Sequence, residues 1–119
     1  MILNAKIKSA DIYIEDHDIL TFSIFVETSA GWSVGIGNYS LDYTKNNKRI
    51  PEKNTATIIR EILEVVGVRS WSDLPGKYIR LDDNDRHNSS ITKIGHIVED
   101  RWIDISEIMS RLDISDLLV

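Results

Sequence analysis

The stretch Leu20-Thr21-Phe22-Ser23-Ile24-Phe25-Val26-Glu27-Thr28 decides the fold. Leu20, Phe22, Ile24 and Val26 recur at every second position with Thr21, Ser23 and Glu27 between them, the period of a strand that buries one face. The alternation spreads over residues 5–44, where helix formers are sparse, so this half predicts an antiparallel meander. Upstream, Ile7 holds an odd position, whereas Ile12 and Ile14 are even. An extra residue near Ser9 to Asp11 restores the inward phase and predicts a bulge or a break. Downstream, Trp32-Ser33-Val34-Gly35-Ile36-Gly37-Asn38 predicts a strand with Trp32, Val34 and Ile36 inward. Its other face is thinned by Gly35 and Gly37, which admits a close neighbour to that backbone.

Residues 45–53 are polar, with a proline and four cations, and read as a loop. Asn54 or Thr55 then caps a helix whose stripe is Ile58, Ile59, Ile62, Leu63 and Val66, stopped by Gly67. Ser70 opens a short capped turn that Pro75-Gly76 ends. Tyr78-Ile79-Arg80-Leu81 resumes as a strand, residues 82–88 form a hairpin loop, and residues 91–99 return as the partner strand. Asp104 or Ser106 caps a second helix with Ile105, Ile108, Met109 and Leu112 on one stripe. The whole, residues 1–119, reads as one domain of α+β class: a curved antiparallel sheet in the order βββ-α-ββ-α, packed by one main helix plus a C-terminal helix. The apolar stretch Ile114-Ser115-Asp116-Leu117-Leu118-Val119 docks on its own chain or on a second copy, so a homo-oligomer is expected.

Composition narrows the function. Among 119 residues, 14 Lys and Arg face 19 Asp and Glu, a formal net charge of -5, which argues against a general nucleic-acid coat. There is no cysteine, which excludes a disulfide scaffold, thiolate zinc sites and a Cys nucleophile. No apolar run suits a signal peptide or the ~18 residues of a spanning helix, so a cytoplasmic protein with no membrane partner is expected.

Motifs for catalysis are absent from the sequence: no G-x-S-x-G elbow, no phosphate-cradling glycine loop ahead of a helix, no H-E-x-x-H. The reading is therefore not an enzyme, with no catalytic residue, cofactor or metal. Glu15-Asp16-His17-Asp18 carries ligand types for a divalent cation, but residues of these kinds also favour a turn between strands, the stronger reading. Asp82-Asp83-Asn84-Asp85 misses the calcium-loop spacing at Arg86. His96 shares a face with Ile94, Val98 and Asp100, which predicts an imidazole hydrogen-bonded inside the fold, with Asp100 as its partner. A sharper alternative joins His96, Arg101 and Trp102 into a polar and aromatic pocket wall. Aromatic rings stack on bases and arginines fork onto phosphates, so in an acidic chain the cations and indoles suit a compact anionic ligand better than a long polyanion.

Glu15-Asp16-His17-Asp18-Ile19-Leu20-Thr21, Asn38-Tyr39-Ser40-Leu41-Asp42, the run from Gly67 to Lys77, and Ile94-Gly95-His96-Ile97-Val98-Glu99-Asp100-Arg101-Trp102 together resemble a family of small accessory proteins of tailed phages and prophages. This chain carries Asp18 where the family has glycine and Ile103 where it has phenylalanine. The resemblance implies a counter-defence context in an infected bacterial cell. One group there, the sponge proteins, withholds cyclic nucleotide immune signals such as cyclic ADP-ribose isomers or cyclic oligonucleotides. Under that expectation Lys77, Arg80 and Arg101 meet phosphates, Trp32 or Trp102 stacks on a base, and His96 with Asp100 orients the wall. The alternative is an OB-like module that binds single-stranded nucleic acid or inhibits a nuclease.

Overall fold

A computed structural model describes residues 1–83 and 91–111. The alternating stretch is β2 (Leu20–Thr28), held between β1 (Ile2–Ile14) and β3 (Ser33–Ser40). A hairpin of β4 (Asp42–Lys45) and β5 (Lys48–Pro51) precedes α1 (Thr55–Val66), and a single 3₁₀ turn, Trp71–Asp73, leads into β6 (Tyr78–Asp82). Then come β7 (Lys93–His96), β8 (Trp102–Asp104) and α2 (Ile105–Met109). The class is α+β. Six strands form one curved, open antiparallel sheet in the order β3-β2-β1-β6-β7-β8.

One face of the sheet is the core. Ile7, Phe22, Ile24, Val26, Ile36, Ile79, Leu81 and Ile94 are buried there against Ile58, Ile62 and Val65 of α1 and Ile105 and Ile108 of α2. Asn54, the N-cap of α1, makes no side-chain cap bond; its amide donates instead to the Arg111 carbonyl, and the Thr55 hydroxyl to that of Leu41. A missing cap costs about 1 kcal/mol, whereas each buried isoleucine contributes about 1.5–3 kcal/mol. Packing therefore holds α1. The helix α2 is capped as the sequence predicts, Asp104 Oδ1 accepting from the amides of Ser106 and Glu107 at 3.1 and 3.3 Å.

Curvature comes from two inserted residues. In β1 the register slips between Ile7 and Ser9, so the extra residue is Lys8, one place before the predicted interval. In β3 a second slip lies opposite Phe22 and Ser23. There Gly37 has φ 112°, and a Cβ would lie 2.8 Å from Phe22 Cε2 and 2.9 Å from the Phe22 carbonyl oxygen. The close neighbour predicted for this backbone is the chain's own Phe22; Gly35 faces open space.

Three expectations need correction. Residues 45–53 are not a plain loop: Asn46 and Asn47, at φ 53° and 61°, make the two-residue turn that closes β4 onto β5. Asp42 anchors this hairpin by accepting from the Leu20 amide at 3.1 Å and from Arg49. Trp32 is not inward; it sits in the turn before β3, 39% exposed, its carbonyl accepting from the Thr28 amide and hydroxyl. The return strand is shorter than residues 91–99, because the chain turns after His96 and adds β8, so three strands rather than two follow α1. The hairpin tip at residues 84–90 and the stretch 112–119, Leu112 included, lie outside the described residues.

Two outcomes follow. Gly37→Ala is expected to lose about 2 kcal/mol or more in urea unfolding, because a positive φ alone costs about 1–3 kcal/mol and the added methyl meets backbone; Gly35→Ala should lie within about 1 kcal/mol of the parent. The Arg49 guanidinium holds the Asp42 carboxyl below its ordinary value. Its contribution is full above the unfolded value of about 3.9 and is lost as pH falls through the lower folded value. Amide protection across β4 and β5, taken relative to the intrinsic exchange rate at each pH, should therefore fall in acid, and Asp42→Asn should remove that acid step.

Candidate functional site

Alternation along β6 sends Ile79 and Leu81 into the core and Tyr78, Arg80 and Asp82 to the opposite face. Pairing extends this face sideways. Lys6 lies opposite Tyr78, and Asn4, Arg80, Gly95 and Trp102 form a row across four strands. Both helices contribute to the core on the other side, so among the described residues no helix covers this one.

The row is held by Arg80. Its Nε donates to the His96 carbonyl at 2.7 Å and its Nη2 to the Glu99 carbonyl at 2.7 Å. Its guanidinium carbon lies 4.9 Å from the centre of the Trp102 ring, within cation–π range. The indole lies flat across Gly95, where a Cβ would come within 2.6 Å of Trp102 Cδ2. Only glycine leaves room for that ring. One row away, the Lys6 ammonium lies 5.8 Å from the centre of the Tyr78 ring, which is 55% exposed. The open face thus carries two cation–aromatic pairs on neighbouring rows.

Shallow concavities flank them. One of about 280 Å³ is lined by Lys6, Lys8, Glu27 and Tyr78 among others, and one of about 410 Å³ by Ile2, Asp82, Lys93, Trp102 and Asp104. A third, about 380 Å³, runs between α1 and β8 and is largely acidic, with Glu61, Glu64 and Asp100 beside Arg101 and Trp102.

The structure divides the residues singled out from the sequence. Arg80 and Trp102 meet on the open face. His96 lies on the other face, because it pairs with Ile79, and its Nε2 points toward Gly67 at the end of α1, 3.9 Å from where a Cβ would be. A wall joining the His96 and Trp102 side chains is therefore not formed; the sheet separates them. His96 Nδ1 accepts from the Val98 and Glu99 amides at 3.1 and 2.9 Å, in place of the predicted partner Asp100. A neutral ring bonded this way carries its proton on Nε2. Arg101 is exposed and paired with Glu99 at 2.7 Å, and Asp100 stands exposed beside it. Lys77 lines a separate groove with Arg69 and Asp73 below α1, and Trp32 sits at the β2–β3 turn. Lys6, Tyr78 and Lys93 were missed. Tyr78 was legible as the outward companion of Arg80, whereas Lys6 and Lys93 need the pairing register.

The acidic turn after β1 consumes its own ligands. Glu15 accepts from the His17 amide at 2.6 Å, the Ile19 amide at 3.4 Å and the His17 ring at 3.2 Å, and Asp18 takes φ 64°. Among the described residues no group of three or more acidic and imidazole side chains is placed to hold a metal ion. None of their helices is long and apolar enough to cross a membrane. No protein-family model matches the chain, and neither a curated protein nor a solved structure matches it.

Gly95→Ala should lift the indole from the sheet. The Trp102 indole N–H resonance is expected to move while those of Trp32 and Trp71 stay in place, and amide exchange at residues 97–100 should quicken as the Arg80 contacts loosen. An unchanged Trp102 signal would contradict the geometry.

Proposed function

We propose that this is a non-catalytic binding protein that holds a small phosphorylated nucleotide against the open face of its sheet. The observation that carries the reading is the pairing of ring with cation on that face: Trp102 with Arg80, and Tyr78 with Lys6. A base is flat and stacks on an aromatic surface, and a phosphate needs cations close by. Arg80 supports the site through its two carbonyl bonds, which use Nε and Nη2. Lys6 and Lys93 are then the ammonium groups that meet phosphate oxygens. Tyr78 presents the stacking surface, while Trp102, seated on Gly95 with the Arg80 guanidinium over its ring, borders by its edge the 410 Å³ concavity that Lys93 also lines. Lys77, Trp32 and His96 stand outside this site, and Arg101 lies at its border.

In the phage context that the resemblance implies, such a protein withholds a cyclic nucleotide signal from a host defence. Sequestration asks only for affinity and abundance, which agrees with a face that offers rings and cations. A second reading, a short single strand laid across the sheet, is favoured by the openness of the face and by a further exposed ring, Phe25, on β2. Net charge weighs against it, as do Glu27 and Asp82 on the same face. Salt separates the two. A strand that contacts several phosphates loses affinity steeply as salt rises, and a ligand with one or two phosphates loses far less.

Thermal unfolding with a panel of cyclic mono-, di- and trinucleotides and cyclic ADP-ribose isomers tests the proposal. One member should raise the melting temperature, by an amount equivalent to about 2.7 kcal/mol at a hundredfold excess over its Kd. Tyr78→Ala and Lys93→Ala should abolish or sharply reduce the shift, and the ligand should return unaltered after the protein is denatured. A cleaved ligand would make the protein an enzyme. Flat curves with the whole panel would refute nucleotide binding.

A further inference from the structure

The strand β1 is 13 residues long, yet β6 pairs only with its first part, Ile2 to Lys6. Ile7 completes that side: its amide donates to the Lys77 carbonyl at 2.8 Å and its carbonyl accepts from the Gly76 amide at 2.7 Å. Beyond the bulge, residues 9–14 pair with β2 on one side, and among the described residues no strand pairs with the other. The bulge determines which groups are left over. Before Lys8 the odd residues turn their amides and carbonyls toward β6. After it the odd residues face β2, as the Glu15 amide does in donating to Ile19. Ala10, Ile12 and Ile14 therefore direct their backbone donors and acceptors at the free edge.

Their side chains lie on the core face of the sheet, opposite Ile24, Phe22 and Leu20, but past the cover of the helices. Ile12 is 39% exposed, Tyr13 42% and Ile14 66%. Edges of this kind are normally blunted by proline, by lysine or by shortness. The sequence Ser9-Ala10-Asp11-Ile12-Tyr13-Ile14 has one charge and none of those devices.

We propose that this edge is a self-pairing surface, through which two copies of the chain join their sheets antiparallel about a two-fold axis at Ile12. The register is restrictive. Continuing the sheet requires same-face residues opposite one another, and reciprocal hydrogen bonds require edge-facing groups on both sides, so even positions must oppose even ones. With Ile12 opposite Ile12 of the second copy, Ala10 falls opposite Ile14, and all three residues exchange both backbone bonds. An axis at Asp11 sets two carboxylates against each other, and one at Tyr13 leaves Ala10 opposite the turn residue Asp16. In the chosen register Asp11 meets the Tyr13 phenol, which can donate to it.

Charge selects a second copy over an unrelated strand. Lys8, on the open face, comes beside Glu15 of the other copy at each end, and each Asp11 faces a tyrosine hydroxyl, so no like charges stand directly opposite each other. Among the described residues the Lys8 ammonium lies 4.0 Å from Glu27 and remains 48% exposed. The edge is remote from Trp102, so this proposal stands or falls independently of nucleotide binding.

Analytical ultracentrifugation and oxidative cross-linking of the full chain, with three variants, test it. The parent should sediment as a dimer. Ile12→Pro removes the donor at the axis, and since that amide faces away from β2 the variant should keep its far-UV circular dichroism and become a monomer. Ile12→Cys, the sole thiol of a chain without cysteine, should give a disulfide-linked dimer on oxidation at low concentration, because a hydrogen-bonded antiparallel pair sets its Cα atoms about 5.5 Å apart. Phe25→Cys, exposed elsewhere on the sheet, should not. A monomeric parent would overturn the proposal, as would a dimer that survives Ile12→Pro. Should the proline variant fail to fold, the cysteine pair decides: no Ile12→Cys cross-link, or equal cross-linking by Phe25→Cys, refutes the axis.

Discussion

Six antiparallel strands present two faces, and the described chain supplies helices to only one of them. Burial of Ile58, Ile62 and Val65 from α1, with Ile105 and Ile108 from α2, against the isoleucines of β1, β2, β6 and β7 is the interaction on which the rest depends. It orients every strand. Whatever alternates with those isoleucines must face water, and on β6, β7 and β8 the alternates are Tyr78, Arg80, Gly95 and Trp102. The candidate site is thus the complement of the core, and a change in strand phase would dismantle both together.

Arg80 ties this face to the turn beyond β7. A guanidinium on the solvent side of a sheet usually contributes little, since water competes for it. Here it bonds two carbonyls and rests against an indole, so its donors are aimed at the backbone of residues 96 and 99. The turn they stabilise also receives His96 Nδ1 from the other face. One four-residue turn is gripped from both sides of the sheet, and that fixes the point where β8 begins and hence where Trp102 lies.

Local patterns were legible and pairings were not. Period-2 alternation located β2, the parity of Ile7 against Ile12 revealed the bulge to within a residue, and the stripe ending at Gly67 located α1. The Asn46-Asn47 turn was hidden because its signal is conformational: asparagine tolerates positive φ, yet in composition it looks like any polar loop. The short strand β8 holds three residues, too few for a period to appear. Arg80 and Trp102 were chosen for their chemistry, but that they meet, and that His96 faces away from them, follows from the Arg80–Gly95–Trp102 register. Such registers join residues distant in sequence and leave no trace in a single chain. Lys6 was invisible for the same reason, since only pairing with β6 brings it to Tyr78.

The central claim is that the uncovered face, rather than the helical side or the acidic groove beside α1, receives a nucleotide. Amide and indole chemical shifts recorded while a cyclic dinucleotide or cyclic ADP-ribose isomer is titrated into the labelled protein test this most directly. The account predicts saturable changes centred on Lys6, Tyr78, Arg80, Gly95, Lys93 and Trp102, with the buried side of α1 unmoved. Changes confined to the groove of Glu61, Glu64 and Asp100, or to the Arg69–Lys77 groove, would contradict it.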